Sequence, residues 1–571
     1  MAISLMVSSL LFISGHISAT PPSVNTPLGT VIGITDEDCD AYLGIPYAKP
    51  PIRWRPPEKL EEFLDEPLMA DAWKPMCYQT ACTDPTGVCN GALAHIEFGI
   101  RCNPTKGKRR NKVMCIETEP ILDLCENENS FTATAIDINE CIYSKHETAD
   151  TDTRALSRPP CWQLCYTYTG AVFHGGKLSK KGDIIVVTIN YRLDVFQGLF
   201  TGTTAEDANG NYSILDQKEA IKWVHEYISS FGGNPDKVTL SGQSAGAQSV
   251  MLHMIDEEVD DMFTQVILQS VPVSIPFRPQ GEAIAQGALF AAELGCNKAD
   301  IDCMRSKSPR DVIEASARLP NHFSSILTQF EPWLPVENGI KVPRYFEIAY
   351  NPSTTTEQSP RFTKPIILGT IEHEAITYIY EGFEEELSAG EYFLLLIEIK
   401  QFQSFALYFN YPPDTFFDSR KALSELATDF IFKCPTRMLA NQMHANTNVW
   451  LYSMEQGFER DVIWTGSGNC ENVACHGEDV PYLFQTFERG GYNLTASEKN
   501  ISESILYYFT NFVKTGNPNI GETPNVPIWH KYIDTPTERK NIVFKSGKTQ
   551  VIPFSKHYLC NMWDLFSPYT A

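Results

Sequence analysis

After residues 3–17, which are apolar or small apart from His16 and carry no Asp, Glu, Lys or Arg, this chain has no other long hydrophobic run. Nothing later approaches the roughly 18 apolar residues that a membrane-spanning helix needs. The apolar stretch 392–397 is short and is followed by Glu398 and Lys400. The last residues, Ser567-Pro568-Tyr569-Thr570-Ala571, offer no hydrophobic tail for a lipid anchor. Basic residues are also scarce. The 46 Lys and Arg stand against 70 Asp and Glu, a formal charge of −24. That balance argues against nucleic acid, whose binding needs a cationic face, and is read as serving solubility. No compact Cys-x-x-Cys pair with matching histidines occurs, so no metal is expected. No internal repeat, linker or second domain divides the 571 residues.

What is present describes a globular, exported protein. Hydrophobic residues make up 43% and charged residues 20%, ordinary for an enzyme. Sixteen cysteines would be out of place in a reducing cytosol and read as disulfides. Residues 1–19 read as a signal peptide, with Ala19 as the small residue before Pro21-Pro22, although the usual Lys or Arg is missing. The mature chain is then 20–571, secreted or in the lumen of the secretory pathway. Asn211, Asn493 and Asn500 stand in glycosylation sequons.

Along the chain, strands alternate with helices. Leu28-Gly29-Thr30-Val31-Ile32-Gly33 reads as a hairpin-like strand, and residues 171–176 as a strand running into glycines. The continuous apolar run 184–189 marks a central strand covered on both faces. Ala220, Ile221, Val224, Tyr227 and Ile228 share one helix face. Further strands are expected at 266–269, 365–368 and 449–454. Thr495-Ala496-Ser497-Glu498 is a capping box opening a helix that stops at Gly516. The sum is an α/β protein with a mostly parallel sheet and helices on both faces. Residues of about 80–138 differ: a polar, cysteine-rich insertion containing Cys82, Cys89, Cys102, Cys115 and Cys125, with weak periodicity. It reads as a surface insertion ordered by disulfides, or as a partner-binding appendage.

The stretch on which chemistry rests is Val238-Thr239-Leu240-Ser241 followed by Gly242-Gln243-Ser244-Ala245-Gly246. It reads as strand, sharp turn and helix, with Ser244 at the apex. Gly242 and Gly246 let strand and helix approach closely around a strained serine. A serine hydroxyl is a poor nucleophile until a neighbouring base takes its proton.

Several motifs together resemble the type-B carboxylesterase and cholinesterase family, of α/β-hydrolase fold. They are Gly44-Ile45-Pro46-Tyr47-Ala48, Asn190-Tyr191-Arg192-Leu193, Leu215-Asp216-Gln217, the Ser244 turn, Gly369 to Glu374, and His476-Gly477 with Phe484. They run in family order over nearly all of 28–570 except the insertion. The resemblance implies a Ser244–His476–Glu374 triad, choosing Glu374 over Glu372 and His476 among 12 histidines. It implies an oxyanion hole from Gly175, Gly176 and Ala245, no cofactor, and a small carboxylic ester as substrate. It also implies disulfides Cys77–Cys141, Cys296–Cys303 and Cys434–Cys560. Cys470 and Cys475 are candidates for a tight loop beside His476; the other pairings stay open.

Three departures stand out. The family's third glycine after His174 is replaced by Lys177, and the following loop is shortened. Gln243 stands where most members have glutamate. No tryptophan lies between Cys77 and Cys141, so choline binding is not carried over. Two functions are therefore weighed: an active secreted serine esterase, and a catalytically weak or inactive esterase-like binding or adhesion protein.

Overall fold

The computed structural model describes residues 21–36, 39–49, 52–71, 95–102, 112–118, 173–298, 300–319, 333–337, 362–383, 385–400, 403–414, 418–460, 463, 469–488, 492–521, 525–554 and 556–566. The expected signal peptide, Cys77, Cys141 and most of the insertion lie outside them. Among the described residues, no helix is long and apolar enough to cross a membrane.

Fourteen strands are described: β1 Ser23–Thr26, β2 Gly29–Ile32, β3 Ile34–Asp36, β4 Cys39–Ala48, β5 Leu68–Met69, β6 His95–Cys102, β7 Lys112–Thr118, β8 Ile184–Ile189, β9 Gly233–Gln243, β10 Gln265–Gln269, β11 Ile366–Ile371, β12 Val449–Met454, β13 Lys540–Lys545 and β14 Lys548–Pro553. Strands β1, β2 and β5 form a small sheet, and the other eleven form one large sheet ordered β14-β13-β12-β11-β10-β9-β6-β8-β7-β4-β3. From β9 to β13 every pairing is parallel. So are β4–β7 and β7–β8. Strand β6 runs antiparallel to both of its neighbours, β8 and β9. The parallel strands all point one way, and their carboxyl ends form a single edge, where ligands bind in sheets of this kind.

Side chains on alternate strand positions enter two different cores. Ile185, Val187, Val238, Leu240, Val266 and Leu268 pack on one face, together with Val250 and Met251 of helix Ala245–His253. Ile184, Val186, Ile267, Trp450 and Tyr452 pack on the other, against Ile501, Ile505, Phe509 and Phe512 of helix Ala496–Thr515. Burial on both faces is why these strands read as unbroken apolar runs. Helix Ala496–Thr515 opens on the capping box of Thr495 and Glu498 and ends at Gly516, φ 72°. The Asn190–Leu193 and Leu215–Gln217 motifs meet below the sheet. Arg192 and Asp216 form a buried ion pair, Nη2 to Oδ1 2.6 Å and Nε to Oδ2 2.8 Å.

Two expectations need correction. Residues 173–176 are not strand: Phe173 to Gly175 are turn and loop, and helix Gly176–Gly182 follows. The insertion is not a surface appendage throughout, because β6 and β7 lie inside the large sheet on either side of β8. The register pairs Gln243 of β9 with His95 of β6, so β6 holds the position beside β9.

Candidate active site

Strand β9 ends at Gln243, and Ser244 follows with φ 57° and ψ −126°. That backbone is strained for a residue with a side chain, at a cost of order 1–3 kcal/mol. Neighbours hold it there. Its N–H donates to the Gln269 carbonyl at 2.9 Å, and its own carbonyl accepts from Gln248 N–H at 3.1 Å. A Cβ on Gly242 would lie 2.4 Å from the Gly246 carbonyl oxygen, so the turn closes only over glycine. The Ser244 hydroxyl does not cap helix Ala245–His253, which leaves it available for chemistry. Ala245 opens that helix, and a first-turn N–H has no intrahelical acceptor.

Glu374 stands three residues past the end of β11. Its Oε1 accepts from Ile371 N–H at 2.7 Å, which pins the carboxylate back onto its own strand. Its Oε2 lies 2.6 Å from His476 Nδ1, and both side chains are fully buried. Glu372 is part-exposed and faces Lys545 at 3.5 Å, so the structure pairs His476 with Glu374 and not with Glu372. The loop between them is clamped from the π-helical turn Thr428–Lys433. Thr428 Oγ1 accepts from Ala375 N–H at 3.1 Å, and Lys433 Nζ donates to the Glu372 carbonyl at 2.9 Å. Burial lowers the Lys433 pKa. Burial also lowers the His373 pKa, to about 4, which keeps that ring neutral.

His476 is fixed from several sides. Phe432 and Tyr378 pack on the ring at centroid distances of 5.2 and 5.6 Å. Cys470 and Cys475 form a disulfide directly before it. His373 N–H donates to the Ala474 carbonyl at 3.0 Å. Asp479, on the same loop, accepts from Tyr452 Oη at 2.5 Å and Gln269 Nε2 at 2.9 Å. Burial raises the Asp479 pKa. Gln269 therefore joins two parts of the site, its carbonyl holding Ser244 and its amide holding the histidine loop. Sequence reasoning missed Gln269, Asp479, Tyr452, Thr428 and Lys433. They are distant in sequence, and no local motif marks them.

The second ring nitrogen, His476 Nε2, lies 3.1 Å from Gln243 Nε2. Among the described residues, no hydrogen bond joins it to the Ser244 hydroxyl. Gln243, next to Ser244, thus brings the end of β9 against the histidine.

The structure does not bring Gly175 and Gly176 to Ser244. A Cβ on Gly175 would come within 2.7 Å of Val186. Val186 shares a sheet row with Gly99 and Thr239. That row is four residues short of Gln243, about 13 Å along a strand. Gly176 N–H turns to His174 Nδ1 at 3.3 Å, and its carbonyl accepts from Cys39 Sγ at 3.3 Å. His174 Nε2 lies 2.8 Å from Asp36 Oδ2. The glycines instead open helix Gly176–Gly182, with Gly175 packed against Val186 of β8. Lys177 Nζ donates to Glu488 Oε2 at 2.5 Å. Of the three expected oxyanion donors, only Ala245 stands beside Ser244.

Cys296–Cys303 and Cys434–Cys560 are bonded as the resemblance implied. Cys77 and Cys141 lie outside the described residues. Asn493 and Asn500 are exposed. Asn211 is fully buried, its amide donating to the Val336 carbonyl at 2.8 Å and accepting from Val336 N–H at 2.7 Å. A folded chain has no room for a glycan there, which corrects the expectation at that sequon.

A sequence profile of the Carboxylesterase family matches residues 20–90 and 164–563. Strands β6 and β7 fall in the gap. The chain is 32% identical over 391 residues to the cAMP-regulated D2 protein of Dictyostelium discoideum, covering 67% of this chain and 70% of the relative. It is 26% identical over 618 residues to the acetylcholinesterase of Electrophorus electricus, covering 98% and 90%. The solved structure of a PNB esterase superposes with a TM-score of 0.69 over 96% of this chain and 100% of its own, at 21% identity, a likeness of fold. The chain belongs to the carboxylesterase family: it is a type-B carboxylesterase and cholinesterase-like α/β-hydrolase.

Proposed function

We propose that this protein is a secreted serine esterase that hydrolyses small carboxylic esters through an acyl-enzyme. The single observation that carries the reading is the buried Glu374–His476 contact of 2.6 Å, set against the residue preceding a strained Ser244. In this reading Ser244 Oγ attacks the ester carbonyl carbon while His476 Nε2 takes its proton. The tetrahedral intermediate collapses, the C–O bond breaks, and the same proton passes to the departing alcohol. Water then attacks the acyl-enzyme by the same relay, releasing the acid and restoring Ser244. Glu374 orients the ring and stabilises its charged form. Ala245 N–H supplies one donor to the oxyanion. The signal peptide expected at 1–19 and the many cysteines are what support an extracellular or luminal setting.

One observation favours a second reading, a weakly active or inactive binding protein: Gly175 and Gly176 stand apart from Ser244. Each missing oxyanion donor costs roughly 3–4 kcal/mol, about a hundred- to a thousandfold in rate. The test is a short-chain nitrophenyl ester assay beside labelling by an organophosphonate, with Ser244→Ala as control. Hydrolysis and labelling that vanish in Ser244→Ala support the esterase. Neither reaction in the parent protein supports the binding protein.

A further inference from the structure

We propose that Gln243 is a positioning residue that caps the base, its amide N–H holding the His476 Nε2 lone pair until a bound ester lets Ser244 claim it. The inference rests on the esterase reading and deepens it. The ring's protonation follows from its partners. Glu374 Oε2, 2.6 Å from Nδ1, is a carboxylate oxygen and only accepts, so Nδ1 carries the hydrogen. A neutral ring then leaves Nε2 as its acceptor. Gln243 Nε2, 3.1 Å away, fills that acceptor with an amide N–H. A serine hydroxyl and an amide cannot both donate along one lone pair, so the two adjacent residues compete for it.

The cap is releasable. Gln243 is 2% exposed, and its Oε1 is buried with no hydrogen-bond partner among the described residues. The amide oxygen therefore gives it no second anchor, and breaking a neutral hydrogen bond of this kind costs little. A glutamate of the same shape could not act so, because a carboxylate has no N–H and would favour the protonated ring. Among the described residues, the charged and titratable groups around the ring are Glu374 past β11, Glu478 and Asp479 just after it, Tyr378 on helix Ile376–Gly382, and Tyr452 of β12 behind Asp479. Lys433, on the turn that carries Phe432, acts on Glu374. All of them stay in place when Gln243 alone is changed.

The experiment uses the full chain and two near-isosteric variants, Gln243→Met, which removes the donor, and Gln243→Glu, which replaces it with a charge. The first readout needs no turnover: the NMR titration of the His476 ring. The expected order of midpoints is parent lowest, Gln243→Met higher, and Gln243→Glu highest by about one to three pH units over the parent. The second readout is Ser244 phosphonylation, expected about three- to tenfold faster in Gln243→Met than in the parent. Equal midpoints in all three proteins, or no gain of labelling in a labelled Gln243→Met, would overturn the cap. If no protein is labelled and none hydrolyses ester while the titration order holds, the esterase reading fails and the cap stands. If ester is hydrolysed in a Ser244-dependent way and the midpoints coincide, the cap fails and the esterase reading stands.

Discussion

The Gly246 carbonyl oxygen occupies the space that a methyl group on Gly242 would need, 2.4 Å from the position of such a Cβ. The contact is backbone to backbone, so no side-chain rotation relieves it. Gly242→Ala is expected to shift helix Ala245–His253 away from β9 and to cost about 1–3 kcal/mol of overpacking strain. Phosphonylation of Ser244 should fall by tenfold or more, and the unfolding midpoint should drop. Unchanged labelling in a folded Gly242→Ala protein would show that the turn has slack which the packing denies.

Glu374→Gln keeps the shape of the acid and removes its charge. The amide can present an N–H to Nδ1 and so favour the wrong tautomer of His476. Ester turnover is expected to fall about a thousand- to ten-thousandfold with KM nearly constant. Glu372→Gln is the control. Its carboxylate is part-exposed beside Lys545, and turnover should stay within a few-fold of the parent. Equal losses in the two variants would undo the assignment of the acid.

Expression in a secreting host should place glycans at Asn493 and Asn500 and none at Asn211. Glycopeptide mass spectrometry checks this directly. Asn211→Gln should instead lower stability, because both of its bonds to Val336 pass through a side chain of fixed length. A glycan found on Asn211 of folded, secreted protein would contradict its burial.

Acid should destabilise the fold through a neutral histidine. Burial depresses the His253 pKa to about 4, and its Nε2 lies 3.0 Å from Gln217 Oε1. An unfolded histidine takes its proton near pH 6.5. The unfolded state therefore binds the proton first. The stability contributed by the neutral ring is fully present above about pH 6.5 and is lost as pH falls toward 4. A shift of that size is worth on the order of 3 kcal/mol. Denaturant unfolding at pH 7.5 and pH 5 should show a smaller acid loss in His253→Gln than in the parent. An identical loss would remove His253 from the acid limb.

Much of the fold was legible where one local cause dominates. The runs at 184–189 and 449–454 became β8 and β12 because burial on both faces demands apolar side chains throughout. The capping box at Thr495 and Glu498 formed because its partners are three residues apart. The Ser244 turn and the choice of Glu374 were legible through short motifs. The rest depended on who stands beside whom. Weak periodicity hid β6 and β7, whose pairing is set by long-range register. Gly175 packs against Val186, several rows from Ser244, although the His174-Gly175-Gly176 sequence looks correct. Asn211 carries the chemical signal for a glycan, and only packing against Val336 cancels it. The Gln269–Asp479–Tyr452 cluster unites three segments that no spacing rule connects.

Strand β8 touches neither β4 nor β9; β7 and β6 are its sole lateral partners in the sheet. Residues with no counterpart in the family profile are thus the mortar on both sides of a central course. A splice form or truncation lacking residues 95–118 would not yield a trimmed esterase. It would leave β8 with two raw margins, and β4 and β9 with one each, all bearing unsatisfied peptide groups. Such margins recruit other chains, so the shortened product would accumulate as aggregate and not as monomer.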